Sequence, residues 1–297
     1  MAREIRIVDV FTEKALAGNQ LAVVLDGRGV SDELMQRIAR EMNFSETTFI
    51  LPPDDPQHAA RVRIFTPVYE MPFAGHPTIG TAWVMVEEGM VAGGSLEFVL
   101  EEKIGPVPVR GVNHEGRLTF WMTHPKVTFG ATVERAALAG AIGVDEPEFV
   151  PDVSCQVVST GAPFLFVALR EPSAVDRAVS GKSRVRDLLA GADIHGVFVF
   201  ALAGDNRLYS RMFSRDMYED PATGSASGPL GAFAVKCGLV GRAPKVSIVS
   251  EQGTKMGRQS FLHIELEYRE LSDTPARIEV GGSVMPVLNG TLSDFER

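Results

Sequence analysis

Two segments of this chain read as copies of one another, which forces a two-part fold. Arg63-Ile64-Phe65-Thr66 leads through Pro72-Phe73-Ala74-Gly75-His76-Pro77 to Gly80. Arg211-Met212-Phe213-Ser214 leads through Asp220-Pro221-Ala222-Thr223-Gly224-Ser225 to Gly228. A shift of 148 positions, from 63 to 211, places Arg63, Phe65, Ala74 and Gly80 on Arg211, Phe213, Ala222 and Gly228. The shift is about half of the 297 residues, so it marks two large units rather than a solenoid. Each copy reads as strand, loop, small-residue turn and helix. Backbone N–H groups at a helix N-terminus attract anions. Two such termini facing each other across a cleft would suit a small acidic substrate.

Length alone favours two domains of similar size. His124-Pro125 interrupts the pattern between the halves, so the expected division is 1–124 and 125–297. A net charge of −9 argues against a nucleic-acid partner, because no basic patch supplies the phosphate-neutralising contribution. Local fields at helix ends still permit a small anion. No apolar run reaches membrane-spanning length. Only two cysteines occur, Cys155 and Cys237, without metal-type spacing, and they read as small core residues. With no apolar signal-peptide core behind Met1, the expectation is a reducing, cytoplasmic setting.

Along the first half, Arg3–Phe11, Leu21–Leu25, Thr47–Leu51 and Arg61–Phe65 read as strands. Ser31 opens a helix with Leu34, Met35, Ile38 and Met42 on one face. Thr78–Glu88 reads as a helix that Gly89 stops. The second half repeats this order, with a helix near Val185–Ala190 and another over Ser225–Cys237.

Chemistry is narrowed first by what is missing. The six histidines are scattered, and no His-x-His, HExxH or CxxC pattern occurs, so no metal is expected. Gly224-Ser225-Ala226-Ser227-Gly228 looks like a nucleophile elbow but carries Ala226 at the nucleophile position. No Walker A sequence and no GxGxxG after the first strand support a nucleotide cofactor. Glu46 stands between Ser45 and Thr47, before a strand that should be buried. Desolvation there raises a carboxyl pKa toward an acid/base value. A cap or a paired structural glutamate is the plainer alternative. His76 precedes Pro77, which looks like the first helical residue, and a helix N-terminus disfavours its imidazolium. A simple N-cap is the alternative for His76, and a capping aspartate at the Ser225 helix is the alternative for Asp220.

Three segments taken together are recognisable: Gln36–Phe49, with its Ser45-Glu46-Thr47 core, then Arg63–Gly80, then Arg211–Leu230. They resemble the phenazine-biosynthesis isomerase family (PhzF-like), and Asp9-Val10-Phe11, Gly18-Asn19, Gln252-Gly253 and Gly257-Arg258 fit the same pattern. The resemblance implies an α+β fold of the diaminopimelate epimerase type. It has two similar domains, each a curled, mostly antiparallel sheet or barrel around a central helix, with the active site between them. It implies that Glu46 moves a proton between substrate carbons, with His76 and Asp220 as further catalytic residues. Ser45, Gly75, Gly224 and Ser225 would bind the substrate. It implies no cofactor and no metal, and a homodimer. The reaction implied is like the isomerisation of trans-2,3-dihydro-3-hydroxyanthranilate, on a small cyclic or unsaturated carboxylic acid.

Epimerases of this fold use two cysteines, one in each small-residue turn. Here those turns hold Ala74 and Pro221 or Ala222, so two-thiol racemisation is not available. The second turn, with a short Ser214–Glu219 segment and Pro221 after Asp220, departs from the phenazine enzyme and leaves the substrate open. Two alternatives stand beside the isomerase: an epimerase-like enzyme using Glu46 with His76 or Asp220, and a non-catalytic small-acid binding protein.

Overall fold

The computed structural model describes residues 2–114, 116–179, 182–215, 218–270 and 272–294; of 114 and 182–184 it describes the backbone alone. Its contacts divide the chain into Met1–Thr123 with Gly281–Arg297, and His124–Val280.

The first unit starts with β1 (Arg3–Val10), β2 (Asn19–Val24), α1 (Asp32–Met42) and β3 (Glu46–Leu51). It continues with β4 (Ala60–Phe65), β5 (Glu70–Met71), α2 (Gly75–Glu87), β6 (Glu97–Glu102), β7 (Gly105–His114) and β8 (Arg117–Thr123). α1 forms where the sequence predicts a helix. The Ser31 hydroxyl accepts the Leu34 N–H at 3.2 Å, and Asn43 takes the left-handed conformation that ends it. Its Met35, Ile38 and Ala39 pack on Ile5, Ala22, Val24, Phe49 and Phe65.

α2 lies against other side chains of the same strands. It is apolar or small nearly all round, which is the composition of a helix enclosed on every side. The Thr48 and Thr81 hydroxyls, 2.9 Å apart, tie it to β3. At Gly80 the helix comes so close that a Cβ would lie 2.6 Å from Leu21 and 2.8 Å from Val10. Gly80→Ala is therefore expected to destabilise the protein by ~1–3 kcal/mol through overpacking. Urea unfolding measures this, and an unchanged midpoint would show that the strands yield.

The second unit opens with β9 (Thr128–Val133), α3 (Arg135–Ile142), β10 (Cys155–Ser159), β11 (Pro163–Ala168) and α4 (Pro172–Arg177). Then come α5 (Lys182–Leu189), β12 (Gly196–Gly204), β13 (Arg207–Ser214), β14 (Glu219–Asp220), α6 (Gly224–Lys236), β15 (Lys245–Gln252) and β16 (Ser260–Glu267). β11 and β12 are unbroken apolar runs because both faces are covered. Leu165, Val167, Val197 and Val199 meet α3, α4 and α5 on one face. Phe166 and Phe200 meet Phe233 of α6 on the other.

Strand pairing repeats between the units. β2 runs parallel to β3, β3 antiparallel to β4, β4 antiparallel to β5 and parallel to β6. β11, β12, β13, β14 and β15 pair in the same senses. The repeated Arg and Phe also have one role. Each guanidinium sits over its ring, Arg63 at 5.0 Å from Phe65 and Arg211 at 4.9 Å from Phe213. Each also pairs with a glutamate on the next short strand, Glu70 or Glu219.

Three sequence expectations need correction. The loop Ser214–Tyr218 is one residue longer than Thr66–Tyr69, so the offset becomes 149 beyond it, from Gly75 to Gly224. Ala74 thus corresponds to Thr223 rather than Ala222, and Gly80 no longer falls on Gly228. Both helices begin earlier than predicted, at Gly75 and Gly224. Last, residues 281–297 belong with the first unit rather than with 125–280. The strand β17 (Arg277–Leu292) runs past the division and pairs with β1 from Arg3↔Leu292 to Val10↔Val284. Among the described residues, no helix is long and apolar enough to cross a membrane.

Candidate active site

In the first unit, parallel pairing of β2 and β3 brings their N-terminal ends together, with Leu21 opposite Glu46. Asn19 opens one strand and Glu46 opens the other. The left-handed turn at Asn43 sends the chain from α1 into β3, and half-buried Ser45 precedes Glu46. The first turn of α2 reaches the same place. Gly75 is its first helical residue, His76 its second and Pro77 its third. Ala74 occupies the N-cap, so Pro77 is not the first helical residue and His76 is not a cap. Buried His76 therefore extends its ring toward the strand ends rather than back onto the helix backbone.

The ring meets both strand residues. Asn19 Nδ2 lies 3.2 Å from His76 Nδ1, and Glu46 Oε2 lies 3.3 Å from Nε2. The two ring nitrogens thus face Asn19 on one side and Glu46 on the other. Burial pushes the His76 pKa down to about 3, against a smaller opposing hydrogen bond to the Gln20 backbone. The imidazole is thus neutral at physiological pH. Glu46 itself is 7% exposed. A buried carboxylate beside a neutral imidazole keeps its capacity to accept a proton.

In the second unit, Asp220 ends β14 and is buried. The N-cap of α6 is Thr223, so Asp220 does not cap that helix. Its Oδ2 instead accepts the Thr223 hydroxyl at 2.6 Å. Gln252, the last residue of β15, fixes this turn. Its Oε1 accepts the Thr223 N–H at 3.1 Å, and its Nε2 donates to the Asp220 carbonyl at 2.7 Å and to Thr223 Oγ1 at 3.0 Å. Gly224 and buried Ser225 then open the helix. No side chain caps α2 or α6, which leaves their first N–H groups suited to an anion.

The structure therefore joins Glu46 to His76 and adds Asn19, which the sequence offers only as part of the Gly18-Asn19 stretch of the family pattern and not as a site residue. It joins Asp220 to Thr223 and Gln252. A thiol role finds no support in position. Cys155 lies buried in β10, where burial pushes its pKa up to about 11, and Cys237 ends α6. Among the described residues, no cluster of three or more His, Cys, Asp or Glu is placed to hold a metal.

The family model described as phenazine biosynthesis-like protein (PhzC-PhzF) matches residues 8–290. The chain is 36% identical over 305 residues to an uncharacterized isomerase of Mesorhizobium japonicum, covering 98% of each sequence. It is 33% identical over 299 residues to the trans-2,3-dihydro-3-hydroxyanthranilate isomerase of Pseudomonas chlororaphis, covering 96% of this chain and 98% of that one. Among solved structures, a PhzF-family phenazine biosynthesis protein of Bacillus anthracis superposes with a TM-score of 0.88 at 25% identity, covering 99% of this chain and 100% of that one. A probable proline racemase and a hydroxyproline epimerase, 14% and 12% identical, share the fold alone. The duplicated α+β architecture, the epimerase-like fold and a match over nearly the whole length place this chain in the phenazine biosynthesis-like family, as one of its isomerases.

Proposed function

We propose that this isomerase moves a proton within a small cyclic or unsaturated carboxylic acid, without cofactor or metal, and that Glu46 carries the proton. The observation that supports this most is the buried pair of Glu46 and His76, 3.3 Å apart, with the imidazole neutral. Glu46 takes a proton from one carbon, and the electron pair left behind delocalises into the adjoining unsaturated acid. The Glu46 carboxyl then returns the proton to another carbon on the same face, so the reaction has no net gain or loss of atoms. His76 keeps its own proton throughout. Its neutral ring lies beside Oε2 and does not compete for the substrate proton.

Gly75 and Ser45 stand beside this pair in the chain and are proposed to contact the substrate. Gly224 and Ser225 offer helix N–H groups that suit a carboxylate. Asp220, engaged by the Thr223 hydroxyl, is better fitted to positioning a substrate than to taking its proton. The likeness to the Pseudomonas isomerase suggests trans-2,3-dihydro-3-hydroxyanthranilate as the first acid to try. We also propose a homodimeric, cytoplasmic enzyme, by analogy with the family.

The test is incubation of that acid and related unsaturated acids in deuterated water, followed by NMR. A rearranged product with deuterium on carbon, formed by the wild type and not by Glu46→Gln, is the expected result. Binding of these acids with neither exchange nor rearrangement would make the protein a small-acid binder instead.

A further inference from the structure

The duplicated fold allows residues of the two units to be matched, and one match is chemically odd. Glu102 is the last residue of β6 and Gln252 the last residue of β15. β6 runs parallel to β4 as β15 runs parallel to β13. Each side chain reaches the N-cap of its unit's central helix, Ala74 for Glu102 and Thr223 for Gln252. In the second unit the amide both accepts and donates: it takes the Thr223 N–H and gives hydrogen bonds to Thr223 Oγ1 and the Asp220 carbonyl. In the first unit the Glu102 carboxyl takes the Ala74 N–H and lies 2.5 Å from the Thr78 hydroxyl.

The Thr78 hydroxyl settles which partner carries the proton. It lies 2.7 Å from the Ala74 carbonyl and 2.5 Å from Glu102 Oε1, and it has one hydrogen. A carbonyl and a carboxylate both only accept, so one Thr78 hydrogen cannot serve both contacts unless the Glu102 carboxyl brings its own. The short contact to Glu102 then needs a hydrogen from the carboxyl. As an acid, Glu102 offers one acceptor and one donor, the same pair of functions that Gln252 offers. As a carboxylate it has no donor to meet the Thr78 oxygen.

Among the described residues, no cation pairs with Glu102. Glu102 lines a cavity of about 540 Å³ whose charged walls are already committed to one another. Arg61 of β4 pairs with Asp54, and Arg63 pairs with Asp32 and with Glu70 of β5. Lys103, next in the chain, pairs with Glu70, and His58 pairs with Glu101 of β6. α2 brings no charged residue in its first turn. Burial is the largest influence on Glu102 and pushes its pKa up to about 8.

We propose that Glu102 is kept as an uncharged acid, acts as the first unit's counterpart of the amide Gln252, and is a positioning residue for the turn of α2 that presents His76 to Glu46. The functional half of this statement rests on the Glu46–His76 reading given above. The protonation half does not, and the two are tested separately.

The first measurement is the Tm of wild type and Glu102→Gln across pH. The unfolded carboxyl titrates near its ordinary 4.5, while the folded one holds its proton to about 8. Stability from this group is thus fully present below 4.5 and is lost as pH rises to about 8. Glutamine does not titrate. The Tm of Glu102→Gln minus that of wild type should widen by several degrees across this window and level off above it. A constant gap, a gap that narrows, or failure of Glu102→Gln to fold would overturn the proposal, because an amide is predicted to fit here. As a second, label-free check, the infrared carbonyl band of a protonated carboxyl should be present in wild type at neutral pH and lost in Glu102→Gln.

The second measurement is kcat against pH. Wild type should lose about tenfold per pH unit above about 8, and Glu102→Gln should hold its rate there. If the Tm pattern appears but the two rate profiles coincide, Glu102 is an uncharged acid without a positioning role. If neither protein turns over any acid, the functional reading fails while the protonation result stands.

Discussion

Glu46→Gln is expected to lower turnover by ~10²–10⁴, the usual cost of removing a general acid/base. Glutamine keeps the size of the side chain, so the buried approach to His76 at 3.3 Å survives in kind. What it loses is the ability to take a proton from carbon. Substrate affinity should therefore change little while kcat falls, a split that steady-state kinetics resolves. Cys155→Ala and Cys237→Ala should leave the rate nearly intact, because neither thiol lies in the turns that open α2 and α6. Inactive cysteine variants beside an active Glu46→Gln would mean two-thiol chemistry and would overturn the proposed mechanism.

The largest effect on stability is expected from Arg211→Met. Arg211 is 8% exposed. Its Nε and Nη2 take both oxygens of Glu219 at 2.8 Å. Its Nη1 donates to the carbonyls of Val175, Asp176 and Ala178, at the end of α4. Methionine fills similar space but leaves Glu219 as an unpaired, mostly buried charge and strips three carbonyls of a donor. Removing one partner of a buried pair costs about 3–5 kcal/mol. Arg63→Met should cost less, because the Arg63 side chain is 20% exposed and one partner, Asp32, is 82% exposed. Urea titration of both variants checks the order. The double variant Arg211→Met with Glu219→Met should recover part of the loss, since no bare carboxylate remains. Equal losses at Arg63 and Arg211 would contradict the argument from burial.

Much of this was legible in the residues. The repeated Arg-x-Phe could be seen because both copies do the same job, a guanidinium over a ring with a glutamate beyond. Ser31 announced α1 through ordinary capping chemistry. Other features were hidden for physical reasons. Gly75-His76-Pro77 and Gly224-Ser225 look like turns by local preference, and only the enclosing strands make them helix. The one-residue difference between the Thr66 and Ser214 loops leaves no mark on composition, so the matching of Ala74 was off by one. Asn19 meets His76 through strand pairing, which the Gly18-Asn19 pattern by itself does not reveal. α3 and α4 were missed because they are short and take their stability from the sheet face they cover. Glu102 and Gln252 differ in charge as written in the sequence, and their kinship shows only through the strands they end.

The pairing of β1 with β17 sets an order of events at the ribosome. Val10 needs Val284 and Arg3 needs Leu292, so β1 is left with an open edge until residues 284–292 have been made. The unit made of residues 124–280 is continuous and has all its own strands in hand earlier. Domains usually fold in the order in which they are synthesised. Here the half that begins first is completed last, and during translation its unpaired β1 edge is the surface most open to mispairing.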